Sequence, residues 1–230
     1  MGTTVTRAMI LAAGRGERLR PFTDHIPKPL LEVAGKPLIV RHLESLAAAG
    51  IRDVIINVGH LGDVLMQALG TDWHGVGIRY SDERDGRLET GGALVRALPL
   101  LGDAPFLLVN GDICTDFPWS RLCQPAASRG HLVLVPNPAQ HPHGDFALRG
   151  GLVALTGEER HTYAGIARLD PALFRDFPEQ SAPLAPWLRR WIAAGLLEGT
   201  LYRGRWTDVG TVERLLTARR ECAEVAGRGL

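Results

Sequence analysis

The chain has 230 residues, 45% of them hydrophobic and 22% charged, with 26 basic against 25 acidic side chains. That is an ordinary globular composition, long enough to bury a core without staples; the charge balance argues against a dedicated nucleic-acid binder, and no apolar run approaches the roughly 20 residues of a membrane span. Cys114, Cys123 and Cys222 are too scattered for a metal-ligand pattern and their odd number suits a reducing compartment, while the short apolar run at 9–13 meets glycine and charge too soon for a secretory leader, so a cytoplasmic location is expected.

Residues 7–12 read as a buried strand that ends at Gly14. Residues 38–49 carry helical periodicity, with Leu38, Ile39, His42, Leu43 and Leu46 on one face and Gly50 as the stop. A strand is expected at 53–58, a helix at 61–69, a strand at 77–80, and a helix at 92–98 stopped by Pro99. The apolar run 105–109 reads as a strand ending in Asn110-Gly111-Asp112. Strand–helix alternation at this spacing predicts a parallel sheet with helices on both faces. The second half is less regular. Strands are expected at 131–135, 145–148, 152–155, 163–169, 199–203 and 206–209, and helices at 171–174, 184–194 and 211–224. His141 and His143, in the Pro/His/Gly loop 136–144, read as surface residues. No linker or repeat interrupts the chain, so one domain is expected over 1–230. No hexapeptide repeat of a β-helix is present, so a second, acetyl-transferring unit is not expected.

The segment after the first strand carries the chemistry. Gly14 and Gly16 free the backbone to approach a phosphate, and successive N–H groups can cradle its oxygens. The pattern lacks the Gly-Lys-Ser/Thr ending of a P-loop, and Arg18 stands near the place of the third glycine of a dinucleotide fingerprint. An arginine can instead grip phosphate oxygens in bidentate fashion. Lys28 sits between Pro27 and Pro29, which stiffen the loop that holds its ammonium. Of the 26 basic residues only Lys28 and Lys36 are lysine. A retained lysine can mark a site that needs a compact point charge. Asp112 lies just past an apolar strand, where ligands collect in open α/β sheets. Asp208 lies near another strand end. Two carboxylates from distant parts of the chain suit Mg²⁺, which keeps waters and takes one or two protein carboxylates plus substrate phosphates.

Leu11-Ala12-Ala13-Gly14-Arg15-Gly16-Glu17-Arg18-Leu19-Arg20-Pro21 and Pro27-Lys28-Pro29-Leu30 together resemble the signature of the sugar-1-phosphate nucleotidyltransferase family. Leu88-Glu89-Thr90-Gly91-Gly92, Asn110-Gly111-Asp112 and Trp206-Thr207-Asp208-Val209-Gly210-Thr211 follow in the family's order, so the resemblance covers nearly the whole chain. It implies a Rossmann-like three-layer α/β/α sandwich around a mostly parallel mixed sheet. It divides the chain into a mainly nucleotide-binding half, 1–112, and a mainly sugar-binding half, 113–230. It also implies the substrates, a nucleoside triphosphate and a sugar 1-phosphate, and Mg²⁺ as cofactor on Asp112 and Asp208. Within the family the pattern is nearest to short members that move UMP from UTP to an N-acetylated amino sugar 1-phosphate, such as N-acetylmuramic acid 1-phosphate in cell-wall sugar recycling.

On that resemblance Arg18, Lys28, Asp112 and Asp208 are the catalytic set. Leu11, Ala12, Ala13, Gly14, Gly16, Arg18, Lys28, Thr90 and Gly91 would hold the nucleotide, and Asn110, Gly144, Tyr163 and Gly165 the sugar. Glu83 is a further candidate at the base: a carboxylate can accept from guanine N1 and N2, whereas uracil offers one N–H. A guanylyltransferase acting on a mannose- or heptose-type 1-phosphate is therefore the alternative. A catalytically silent nucleotide-sensing subunit is the alternative from another class, which the retention of all four catalytic residues disfavours. No nucleic-acid or membrane partner is expected, and the protein is expected to be a monomer or small homo-oligomer. Two departures stand out. Pro183 occupies a place where related short uridylyltransferases carry a basic residue, leaving Arg189 or Arg203 to supply a missing contact. The loop 81–88 is about one residue longer than in those relatives.

Overall fold

The computed structural model describes residues 3–86, 88–178 and 181–226. The first half runs β1 (Arg7–Leu11), 3-10 turns at Glu17–Leu19 and Lys28–Leu30, β2 (Glu32–Val33), β3 (Lys36–Pro37), α1 (Leu38–Ala48), β4 (Asp53–Val58) and α2 (Gly62–Leu69). It continues with β5 (Asp72–Trp73), β6 (Val76–Asp82), α3 (Glu89–Leu101) and β7 (Phe106–Asn110). The remainder runs β8 (Ile113–Thr115), α4 (Ser120–Cys123), β9 (Gly130–Val135), β10 (Ala147–Arg149), β11 (Leu152–Ala154), β12 (Thr162–Leu169) and a 3-10 turn at Pro171–Phe174. It closes with α5 (Ala185–Ala193), β13 (Leu197–Leu201), β14 (Trp206–Asp208) and α6 (Val212–Ala226).

Ten strands form one sheet in the order β10-β11-β13-β9-β12-β7-β1-β4-β6-β5. β7, β1, β4 and β6 are mutually parallel, β12 runs against β7 and β9, and β13 is parallel to β9. With β11 and β5 also reversed, the other seven strands share one direction, so the sheet is mixed and mostly parallel. Successive residues of β1 face opposite layers. Ala8 and Ile10 pack with Ile39, Leu43 and Leu46 of α1, and Met9 packs with Leu94, Ala97 and Leu101 of α3. A strand covered on both faces has no polar side to show, which is why its sequence reads as an unbroken apolar run. The three-layer α/β/α sandwich is as expected.

One helix differs from its expected bounds. α3 begins at Glu89 and runs through Pro99 to Leu101, rather than from 92 to a stop at Pro99. Proline removes one intrahelical hydrogen bond. Here the loss falls in the last turn, and Leu101 remains fully buried while its carbonyl accepts from Arg7 Nη1 at 2.7 Å. Gly102 then closes the helix with φ 76 and an N–H donated to Leu98 O at 2.8 Å.

A smaller third cluster joins Leu19, Leu31, Val33, Leu38, Val209, Leu215 and Ala218. It clamps α6 against the segments that carry Arg18, Lys28 and Asp208. Beside it Cys114 and Cys222, far apart in the chain, stand with their sulfurs 3.3 Å apart as free thiols. Among the described residues no helix is long and apolar enough to cross a membrane.

Candidate active site

A cavity of about 560 Å³ opens over the carboxyl ends of the central strands. Leu11 ends β1, Asn57 lies near the end of β4, Glu83 follows β6 and Asn110 ends β7, and all four line it. The chain leaves β1 toward β4 on one side and later returns to β7 on the other, so the cavity sits where the strand order reverses. Asn57 is buried and braces this floor. Its Oδ1 accepts the Ala12 N–H at 2.6 Å and its Nδ2 donates to Glu83 Oε1 at 2.7 Å. Burial pushes the Glu83 carboxyl above its ordinary value, against the pull of the Asn57 hydrogen bond.

The glycine loop and the Pro-Lys-Pro turn form the adjoining wall. Gly16 adopts φ 65, and a Cβ there would lie 2.9 Å from Thr23 Cγ2 and 3.3 Å from Lys28 Cβ. Only glycine combines that conformation with such close approach. The Thr23 hydroxyl donates to Gly16 O at 2.9 Å, fixing the loop against the turn. Lys28 lies in the short turn after Pro27, its side chain mostly buried, and its Nζ donates to Asp112 Oδ2 at 2.5 Å. Lys36, the other lysine, makes a half-exposed pair with Glu44 at 2.6 Å, a surface role that arginine could also fill.

A second cavity of about 310 Å³ shares Asn110 and Asp112 with the first. Arg18, Asp208, Tyr163, Gly165 and His141 are on its wall. β14 pairs with β8 so that Asp208 faces Ile113, and the Val209 N–H donates to Asp112 O at 2.8 Å. This pairing brings the two aspartates together across 96 residues of chain. Arg214 Nη1 donates to Asp208 Oδ2 at 2.6 Å. Even so the Asp208 carboxyl is held above its ordinary value, first by burial and then by the charge of Asp112. A Cβ on Gly210 would meet Arg214 Nη2 at 2.4 Å, Asp208 Oδ1 at 2.9 Å and Arg18 Nη2 at 3.1 Å, so the bare glycine lets the three charged groups converge. The Tyr163 hydroxyl is buried with no partner, and burial raises its pKa.

Leu11, Ala12, Ala13, Gly14, Gly16, Lys28, Glu83 and Thr90 all line the first cavity. Arg18 lies on the second rather than the first. Gly91 and Gly144 line neither. Gly91 is packed under Phe177, and its N–H donates to Ala182 O at 2.9 Å. Gly144, at φ 57, packs on Asn137 and the Arg160 backbone. Arg189 and Arg203 do not line the second cavity, and Arg189 lies over the Phe146 ring at 5.7 Å. Sequence reasoning missed Asn57, whose only signal was a polar residue near the end of an apolar strand. It also placed His141 on the surface; the ring is half-exposed but belongs to the cavity wall.

The nucleotidyl transferase family model matches residues 7–149. An N-acetylmuramate alpha-1-phosphate uridylyltransferase of Neisseria meningitidis is 46% identical over 223 residues, 93% of this chain and 96% of the relative. The protein of that name in Caulobacter vibrioides is 35% identical over 234 aligned positions, 94% of this chain and 97% of the relative. Among solved structures, a Bacillus anthracis protein assigned as a glucose-1-phosphate thymidylyltransferase, in complex with a sucrose, superposes with a TM-score of 0.81. It is 22% identical, the match covers 94% of each chain, and at that identity it speaks for the fold alone. With the family model spanning more than half of its length and relatives aligned nearly end to end, the chain belongs to the nucleotidyl transferase family.

Proposed function

We propose that the protein transfers UMP from UTP to N-acetylmuramic acid α-1-phosphate with Mg²⁺, releasing pyrophosphate and forming the UDP-sugar. The observation that carries the reaction type is the junction of the two cavities at Asn110 and Asp112, with Lys28 on one side and Asp208 on the other. Uridine and the muramic sugar rest on the near-full-length likeness to the Neisseria meningitidis enzyme. In this reading 1–112 hold mainly the nucleotide and 113–230 mainly the sugar. The protein acts in the cytoplasm as a monomer or small homo-oligomer, without nucleic-acid or membrane partners.

Nucleotidyltransferases of this family generally use a divalent metal. The donor set fits Mg²⁺. Two carboxylates share one cavity, the charge of Asp112 adds to the cost of ionising Asp208, and no third candidate ligand joins them among the described residues. An ion that prefers one or two carboxylates plus phosphate oxygens suits such a pair. Held by Asp112 and Asp208, it would supply charge neutralisation at the transferring phosphate.

The chain's own residues do the rest. A sugar 1-phosphate is largely a dianion at neutral pH, since the second phosphate pKa is about 6, so no general base is needed. Its oxygen bonds to the α-phosphorus while the bond to the β-phosphate oxygen breaks and pyrophosphate leaves. Like-charge repulsion opposes that approach, and Lys28 and Arg18 offset it from opposite sides of the junction. The glycine loop amides cradle the triphosphate. Asn57 and Glu83 face the base. Glu83 Oε1 already accepts from Asn57, and the lone pairs that remain on its carboxylate can accept the N–H of uracil N3.

The test is pyrophosphate release from UTP, GTP, dTTP and ATP, each with N-acetylmuramic acid, N-acetylglucosamine and mannose 1-phosphates. UTP with the muramic sugar should turn over fastest, and a chelator should abolish turnover. No turnover with any pair overturns the enzyme reading, and preference for GTP with mannose 1-phosphate replaces it by the guanylyltransferase.

A further inference from the structure

The second cavity contains one basic side chain that the phosphate chemistry leaves unused. The loop 136–145 between β9 and β10 forms part of its wall through Pro138, Gln140 and His141. This loop is pinned internally. The His141 N–H donates to Pro138 O at 2.8 Å, and Asn137 Nδ2 donates to Pro142 O at 3.0 Å and Arg160 O at 2.9 Å. Asn137 Oδ1 accepts from the Thr162 hydroxyl at 2.9 Å, and Arg160 Nη2 donates to Asp145 O at 2.6 Å. The ring of His141 is held in turn: its Nε2 lies 3.1 Å from Asp145 Oδ1, while Asp145 Oδ2 accepts the Tyr163 N–H at 2.8 Å. A histidine anchored through a carboxylate to a sheet strand is a positioned group.

Charge supplies the rest of the argument. On this wall only Arg18 and His141 can be cationic. Arg18 converges with Asp208 at Gly210, at the phosphate end. Arg189 is stacked on Phe146, Arg203 is outside the cavity, and Pro183 carries no charge. An imidazole that donates through Nε2 to Asp145 can offer a second N–H, at Nδ1, only as the imidazolium. A ligand carboxylate would satisfy that second N–H, so Asp145 and the ligand would bracket one cation with charge-assisted hydrogen bonds. A neutral sugar gains nothing there. The Tyr163 hydroxyl is buried and carries no charge, so it does not discriminate an acid sugar from a neutral one.

We propose that His141, held on Asp145, is the residue by which the sugar site selects a sugar 1-phosphate bearing a carboxylate over its neutral counterpart. This rests on the function proposed above, in which the second cavity takes the sugar.

The experiment uses the full chain with UTP and three acceptors: N-acetylmuramic acid 1-phosphate, the same sugar with its carboxylate amidated, and N-acetylglucosamine 1-phosphate. The wild type should favour the acid over the amide at least tenfold in kcat/KM. His141→Gln and His141→Ala should each erase most of that ratio through the KM of the acid sugar, with the KM of UTP moving less than twofold. A wild type indifferent to amidation overturns the inference, as does a variant that loses all three acceptors alike and keeps the ratio. His141→Gln guards against an unfolded alanine variant. Absence of wild-type turnover with the acid sugar, against turnover with a neutral one, overturns the muramic assignment itself, a result distinct from unaltered selectivity in the variants.

Discussion

Lys28 and Asp112 meet at 2.5 Å, and Arg214 holds Asp208 at 2.6 Å, so each aspartate is oriented by one cation and keeps an oxygen unspent. Asp112→Asn and Asp208→Asn keep the shape and remove the charge. Each should lower kcat by roughly 100-fold or more, the scale of losing transition-state charge stabilisation, in steady-state pyrophosphate release; rates near wild type would take them out of the proposed metal site. His42 is a different kind of residue. It is buried in α1, its Nε2 has no partner, and burial depresses its pKa to about 4, with the charge of Asp112 opposing. Above pH 6.5, the ordinary histidine value, both folded and unfolded chains carry it neutral and its contribution to stability is fully present. As pH falls below that, only the unfolded chain takes the proton, and stability drains until the folded pKa of about 4 is reached. The limb amounts to about 3 kcal/mol. Denaturant titrations from pH 7 to 4 should show it in the wild type and not in His42→Leu; equal slopes in both would refute the assignment.

At the scale of elements, α6 is the brace of the site. Leu215 is fully buried against the cluster that includes Leu19 and Val209, the neighbours of Arg18 and Asp208. Leu215→Ala should cost about 2–5 kcal/mol by the lost burial and the cavity left behind. It should also lower kcat at temperatures where the variant remains folded, because the strand bearing Asp208 loses its backing. Leu46→Ala, equally buried but in the cluster between α1 and the sheet, should destabilise by a similar amount and leave kcat alone. Equal kcat loss in the two variants would mean that α6 plays no special part.

For the whole molecule, the active groups come from both ends of the chain and from both cavities. Ligand binding should therefore tighten the protein as a unit. UTP with Mg²⁺ at 100 times its dissociation constant stabilises by about 2.7 kcal/mol. For a domain of this size that is a rise of about 5–10 °C in Tm. Calorimetry should show one shifted transition that a chelator reverses; a shift confined to part of the unfolding enthalpy would show two independently melting halves.

Some of this was legible in the chain by itself. The apolar strands, the α1 face and the glycine loop were readable because they rest on local periodicity and on the conformational freedom of glycine, which neighbours in sequence decide. Lys28 between two prolines was readable for the same reason, whereas the sister residue Lys36 proved a surface partner of Glu44. The extent of α3 was not legible, because burial of Leu101 outweighs the break expected at Pro99. Nor were Asn57 and His141. Their placement depends on Glu83 and Asp145, one across parallel strands and one across a folded-back loop. The sequence alone pointed to a phosphate site, since Gly16 and Lys28 lie 12 residues apart and each is marked by its immediate neighbours. Only the tertiary structure decided how the wall of the second cavity is built, because the pairing of β8 with β14 and the pinning of loop 136–145 are long-range contacts that no local pattern encodes.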